Sequence, residues 1–88
     1  MAYSVKLSPR AEHEVELLPK HVLKRVARWF ELLGEDPYRA PSRQLEGYSE
    51  LRRVHAGKDY VIVYSVIDRE VLVLIVRVAH RRDVYRRL

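Results

Sequence analysis

The 88-residue chain contains no cysteine, which excludes a disulfide framework and a thiolate metal site alike, and a protein of the reducing cell interior needs neither. Long hydrophobic runs are missing too. The longest, Val71 to Val76, has six residues, whereas a membrane-crossing helix needs about 20. The opening residues MAYSVKLSPR lack the apolar stretch of a secretory signal. These absences predict a cytoplasmic protein with no membrane partner. The four histidines (His13, His21, His55, His80) show no paired ligand spacing, so no metal is expected, and no cofactor either. Repeats, linkers and low-complexity segments are absent, and the length suits a single domain over residues 1–88 with one core and no deep cleft. Any site must lie open on the surface.

What the chain does have is positive charge, unevenly placed. The formal charge is +5, from 17 Lys and Arg against 12 Asp and Glu; residues 1–49 carry eight basic and seven acidic groups, residues 50–88 nine and five. The excess therefore sits in the C-terminal half, beside its most apolar segments, a distribution that favours a polyanionic partner such as nucleic acid.

Taken in order, Tyr3, Val5 and Leu7 alternate with polar residues as in a short half-buried strand. Ser8 followed by Pro9 is a helix start, and a first helix is expected from Pro9 to about Leu18, with Glu12 and Glu14 near its positive end. Pro19 breaks it and opens a second helix carrying Val22, Leu23, Val26, Ala27, Phe30 and Leu33 on one face, with Trp29 at the edge and Gly34 as a left-handed terminator. The stretch Glu35 to Gly47 has no periodicity and reads as a loop anchored by Leu45. In Glu50 to Ala56, Leu51, Arg53 and His55 point one way and Arg52, Val54 and Ala56 the other. Gly57, Lys58 and Asp59 turn into an apolar strand, Tyr60 to Ile67. Asp68 to Glu70 turn again into Val71 to Val76, a strand suited to burial on both faces. Short connections make these three strands antiparallel neighbours. The expectation is an α+β domain, β-α-α-β-β-β: an N-terminal strand, a two-helix hairpin, and a three-stranded meander with the helices on one sheet face.

The order of elements and four words, SPRAEHEVELLP, LEG, LRRVHAGKDYVIVYSVID and HRRDVY, resemble the RelE/ParE superfamily of bacterial type II toxins across essentially the whole chain. The resemblance implies a toxin neutralised by a cognate, RelB-like antitoxin, in a complex that binds operator DNA through the antitoxin. In the RelE branch it implies an endonuclease that cuts mRNA in the ribosomal A site without metal. Arg53, Arg81 and Tyr85 fall where RelE-like nucleases place a strand cation, an arginine after the last strand and a C-terminal tyrosine. Val61 departs from the pattern, standing where those chains usually carry arginine. His55, Asp59 and His80 look more like the YafQ-type branch. The alternatives are the ParE branch, which inhibits DNA gyrase, and an inactive RNA- or antitoxin-binding module.

Metal-free RNA cleavage needs a base for the 2′-OH, an acid for the leaving 5′-oxygen, and cations for the phosphorane. Histidine, with a reference pKa of about 6.5, suits the proton steps. His55 and His80 are the candidates, expected to share one mouth. Arg53 and Arg81 can only supply charge and planar donors. Tyr85 can stack on a base or exchange a proton, and Asp59 is a turn residue that can also act in catalysis or orient a histidine. Arg52, Lys58, Arg77, Arg82, Arg86 and Arg87 are assigned to attraction of ribosomal RNA.

Overall fold

In the computed structural model, which describes residues 2–86 and 88, the Ser8 hydroxyl accepts the Ala11 N–H at 3.1 Å and Pro9 occupies the first turn of α1 (Pro9–Glu16). This is the side-chain cap expected of serine. α1 follows β1 (Ser4–Leu7) and ends two residues before the expected Leu18, because Pro19 forbids continuation. α2 (Lys20–Glu35) buries Val22, Val26 and Leu33, with Trp29 and Phe30 partly covered beside them. Leu23, 38% exposed, and Ala27 lie outside that seam. Gly34 is no left-handed terminator: it lies buried inside the helix, and its carbonyl accepts the Tyr3 N–H at 2.8 Å, fastening α2 to the start of β1.

After α2 come β2 (Arg43–Gln44), β3 (Arg52–Ala56), β4 (Tyr60–Ile67), a 3-10 turn (Asp68–Glu70) and β5 (Leu72–His80). They form one five-stranded sheet in the order β1-β5-β4-β3-β2, antiparallel except that β1 runs parallel to β5. The meander and helical hairpin are as expected. Two features are additional: the stretch read as a loop contributes β2, and Val71 is not a strand residue but a turn residue at φ 51°, a left-handed conformation that β-branched side chains rarely adopt.

The apolar run of β4 is explained by its central position between two cores. Ile62 and Tyr64 pack with Val54, Ala56, Val73, Ile75 and Val78 under the helices, while Val61 and Val63 pack on the other face with Leu45 and Val84. The Tyr64 hydroxyl, buried, donates to the Pro37 carbonyl at 2.6 Å. Pairing of β4 with β5 shifts register once: Tyr64 faces Ile75 but Val63 faces Arg77, leaving Val76 as an extra residue. The bulge falls where β1 has ended. There Ser8 bonds the Ile75 and Val76 carbonyls, and Glu14 Oε1 accepts the Val78 N–H at 2.8 Å, so α1 satisfies the edge that β1 leaves open.

Candidate functional site

One face of the sheet is covered by the helices and the other mainly by the C-terminal turn, residues 81–86. That turn is held from below by Arg77. Its Nη1 donates to the carbonyls of Asp83, Val84 and Arg86 at 2.8, 3.0 and 2.7 Å, and its Nε pairs with Glu14 Oε2 at 2.9 Å. Arg77 is only 8% exposed. Its expected part in attracting RNA is therefore corrected: the guanidinium is spent internally, clasping the segment that carries Arg81 and Tyr85. Glu14 likewise does more than complement a helix dipole.

With the turn docked and Val84 buried against Val61 and Val63, Tyr85 comes to line an open cleft of about 520 Å³ together with Arg53, Arg43, Gln44, Glu46 and Tyr48. Arg53 is on this face because its strand partner is Val63, and His55 follows it two residues on, paired with Val61. Arg53, His55 and Tyr85 thus share the face that the helices leave free. Arg81 stands at the end of the sheet, where its N–H donates to the Asp59 carbonyl at 2.7 Å and its Nε lies 3.8 Å from Asp59 Oδ1. Asp59 accordingly braces Arg81, with no histidine contact among the described residues.

His80 does not join His55. Its partner is Tyr60, so it takes the helix-side face, with its ring edge-on to Tyr60 at a centroid separation of 5.6 Å. Its Nδ1 accepts the Arg82 N–H at 3.2 Å. The expected shared mouth is corrected by register, since opposite faces of one sheet cannot present two rings to one phosphate. Arg52 is also on the far face, its Nη2 donating to the Ser42 carbonyl and hydroxyl at 3.2 and 2.8 Å and its guanidinium 5.1 Å from the Tyr38 ring centroid. A larger hollow, about 640 Å³, lies beside Tyr38 and Arg52 but contains none of the other candidate residues. Lys58, Arg82 and Arg86 are exposed, Arg86 3.8 Å from Asp83. Arg87 lies outside the described residues.

Sequence reasoning missed Arg43, Gln44, Glu46 and Tyr48. Their only signal was proximity to the Leu45 anchor, which is indeed buried. Among the described residues no group of three His, Asp or Glu side chains is placed to hold a metal ion, and no helix is long and apolar enough to cross a membrane.

Residues 5–85 match the family described as the ParE toxin of type II toxin–antitoxin system, parDE. The chain is 33% identical over 91 residues to Toxin RelG of Mycobacterium tuberculosis, covering 99% of this chain and 100% of that one. Its fold is similar to the archaeal RelE of the RelE–RelB complex from Pyrococcus horikoshii, with a TM-score of 0.80, 26% identity, and 94% and 99% of the two chains covered. It is also similar to a chain of the intact Escherichia coli RelBE toxin–antitoxin complex, with a TM-score of 0.79, 25% identity, and 90% and 96% of the two chains covered.

Proposed function

From the premise that this chain belongs to the ParE toxin family of type II toxin–antitoxin systems, we propose that it is the mRNA-cutting toxin of such a pair, acting on the ribosome in the cytoplasm without metal. The observation that carries this reading is that Arg53 and Tyr85 line one cleft on the sheet face left free by the helices, with His55 on that same face two residues along β3 and Arg81 at the end of the sheet. His55 takes the proton from the 2′-OH, whose oxygen attacks the adjacent phosphorus. The P–O5′ bond breaks, leaving a 2′,3′-cyclic phosphate, and Tyr85 donates its proton to the departing 5′-oxygen. Arg53 and Arg81 stabilise the charge that builds on the phosphorane. Lys58, Arg82 and Arg86 supply salt-sensitive attraction to ribosomal RNA. The partner is a RelB-like antitoxin, as in the complexes whose folds this chain resembles, and operator DNA is bound through it.

Single-turnover cleavage of A-site mRNA on programmed ribosomes tests the assignment. His55→Gln should slow cutting by roughly 10² to 10⁴, the usual worth of general acid–base catalysis. His80→Gln should stay within about tenfold of wild type, because that ring faces Tyr60. Equal losses in the two variants would return the reaction to a two-histidine scheme. A second reading is favoured by Val61, which is buried where RelE-like chains carry a cation: inhibition of DNA gyrase by binding. Blocked supercoiling by purified gyrase, with messages left intact, would select it.

A further inference from the structure

β2 is two residues long and brings one unusual pair to the sheet. Arg43 is the antiparallel partner of Arg53, so the two side chains rise from adjacent strands on the same face. Directly opposed like charges destabilise a strand pair, and a longer or better-paired β2 would ordinarily avoid them. Neither guanidinium has an ion-pair or hydrogen-bond partner among the described residues, whereas Arg77, Arg81 and Arg86 all pair with carboxylates and Arg52 bonds Ser42. Both line the cleft that Tyr85 and Tyr48 also line, the two tyrosines each 46% exposed. Glu46 is the one carboxylate side chain among the described lining residues, against the two arginines. Two unsatisfied, planar, permanently charged donors set side by side in an open cleft form a site for a doubly oxygenated anion.

We infer that Arg43 and Arg53 form a two-arginine clamp for an RNA phosphodiester, and that Arg43 supplies the phosphate contact that position 61 does not. Val61 cannot supply it: the side chain is fully buried against Leu45, Val63 and Val84 beneath the docked C-terminal turn. Arg43 reaches the same phosphate from the strand on the other side of Arg53, out of contact with that core. A bound phosphodiester also removes the repulsion between the two guanidiniums, so the strand pair is relieved when the substrate is present. This assignment rests on the reading of the cleft as an RNA site.

The test uses the full chain with Arg43→Ala, Arg43→Lys, Arg53→Ala and the Arg43/Arg53 double alanine variant, in two assays. In the first, a 2′-O-methyl RNA hexamer, which cannot be cut, is bound at several salt concentrations. Arg43→Ala should weaken binding and lower the slope of log affinity against log salt by roughly 0.7, the value for one contact to single-stranded RNA, and Arg43→Lys should keep the slope. In the second, single-turnover cleavage on programmed ribosomes should fall about 10- to 100-fold in Arg43→Ala, and the double variant should lose little more than Arg53→Ala, as expected when two groups act on one phosphate. The unfolding midpoint of Arg43→Ala should not drop, because the repulsion has gone. Unchanged binding and cutting, full additivity with Arg53→Ala, or a lowered midpoint with an unchanged salt slope would each overturn the clamp. If the wild type binds the hexamer through Arg43 but cuts no message, the nuclease reading falls and the clamp stands. If it cuts and Arg43→Ala cuts equally well, the reverse holds.

Discussion

Replacing Arg77 should release the C-terminal turn without unfolding the domain, and the expected size of the effect follows from what the guanidinium touches. The Arg77 and Glu14 side chains are 10% and 16% exposed, so the pair belongs with buried ion pairs, whose breaking by loss of one partner costs about 3–5 kcal/mol. By contrast, the side chains of Arg81–Asp59 and Arg86–Asp83 are 48–77% exposed and the pairs 3.8 Å long, in the class worth roughly 0–1 kcal/mol. In Arg77→Met the carbonyls of Asp83, Val84 and Arg86 lose their donor, but the turn is terminal and can swing out to meet water. The penalty then becomes the cost of undocking, chiefly the exposure of Val84, about 1.5–3 kcal/mol for a fully buried side chain of that size. We therefore expect a loss near 3 kcal/mol, less than the roughly 4–13 kcal/mol implied for an 88-residue domain at 0.05–0.15 kcal/mol per residue. Glu14→Gln keeps one oxygen for the Val78 N–H but turns an amide N–H toward Arg77 Nε and leaves the buried guanidinium without its counter-charge, so it too should cost about 3 kcal/mol. Urea unfolding would measure the stability, and amide exchange at Val84 and Arg86 would report the turn. Exchange there should accelerate while β4 amides stay protected, and mRNA cleavage should fall because Tyr85 is no longer held. A stability loss under about 0.5 kcal/mol with Val84 and Arg86 still protected would refute the idea that Arg77 clasps the turn.

Val71 sits at φ 51° and half exposed, so Val71→Gly should stabilise the domain by about 1 kcal/mol through relief of the left-handed strain, visible as a raised melting midpoint. Gly57, at φ 81°, is the opposite case: an added Cβ would fall 2.5 Å from Arg25 Nη1, and Gly57→Ala should destabilise by about 1–2 kcal/mol in the same assay. Asp68 accepts hydrogen bonds from Tyr3 and Tyr38, which holds its carboxyl below the usual range, and the bond to Asp68 pushes Tyr38 up to about 12. The Asp68 contribution to stability is present above the ordinary carboxylate pKa and lost as pH falls through its lowered value; that of Tyr38 is present below 10 and lost as pH rises through about 12. A phenolate absorbance titration should show a tyrosine ionising late, near pH 12, and that late step should vanish in Tyr38→Phe and Asp68→Asn.

Most of the fold was legible because the elements that carry it advertise themselves locally. Ser8–Pro9 and Pro19 mark helix boundaries through φ and capping chemistry, and the apolar, β-branched YVIVY reads as a strand, though not as one covered on both sides. Arg53, Val61 and Tyr85 were legible as words of a family pattern. What escaped was set by single-residue parity and by tertiary docking. Alternation along β5, counted without the bulge at Val76, gives no warning of which face Arg77 and His80 will take. Arg77 looked like one more cation of a basic tail because its four partners come from α1 and from carbonyls of the turn, none of them a neighbour in sequence. β2 is too short to show a period, and Arg43 acquires meaning only when pairing sets it opposite Arg53.

The hydroxyl of Ser8 is used twice over, accepting the Ala11 N–H and donating to the Val76 carbonyl at the bulge. Capping statistics rank aspartate, asparagine and serine as near equals, yet the admissible alphabet here is narrower. An ionised aspartate has no proton to give, so it would start the helix while leaving the bulge carbonyl without its donor and pressing a carboxylate against it. Drift at this position is accordingly confined to side chains able to give and receive at once, with threonine the nearest substitute, and the opening of one helix and the kink of the farthest strand in sequence are bound to change together or not at all.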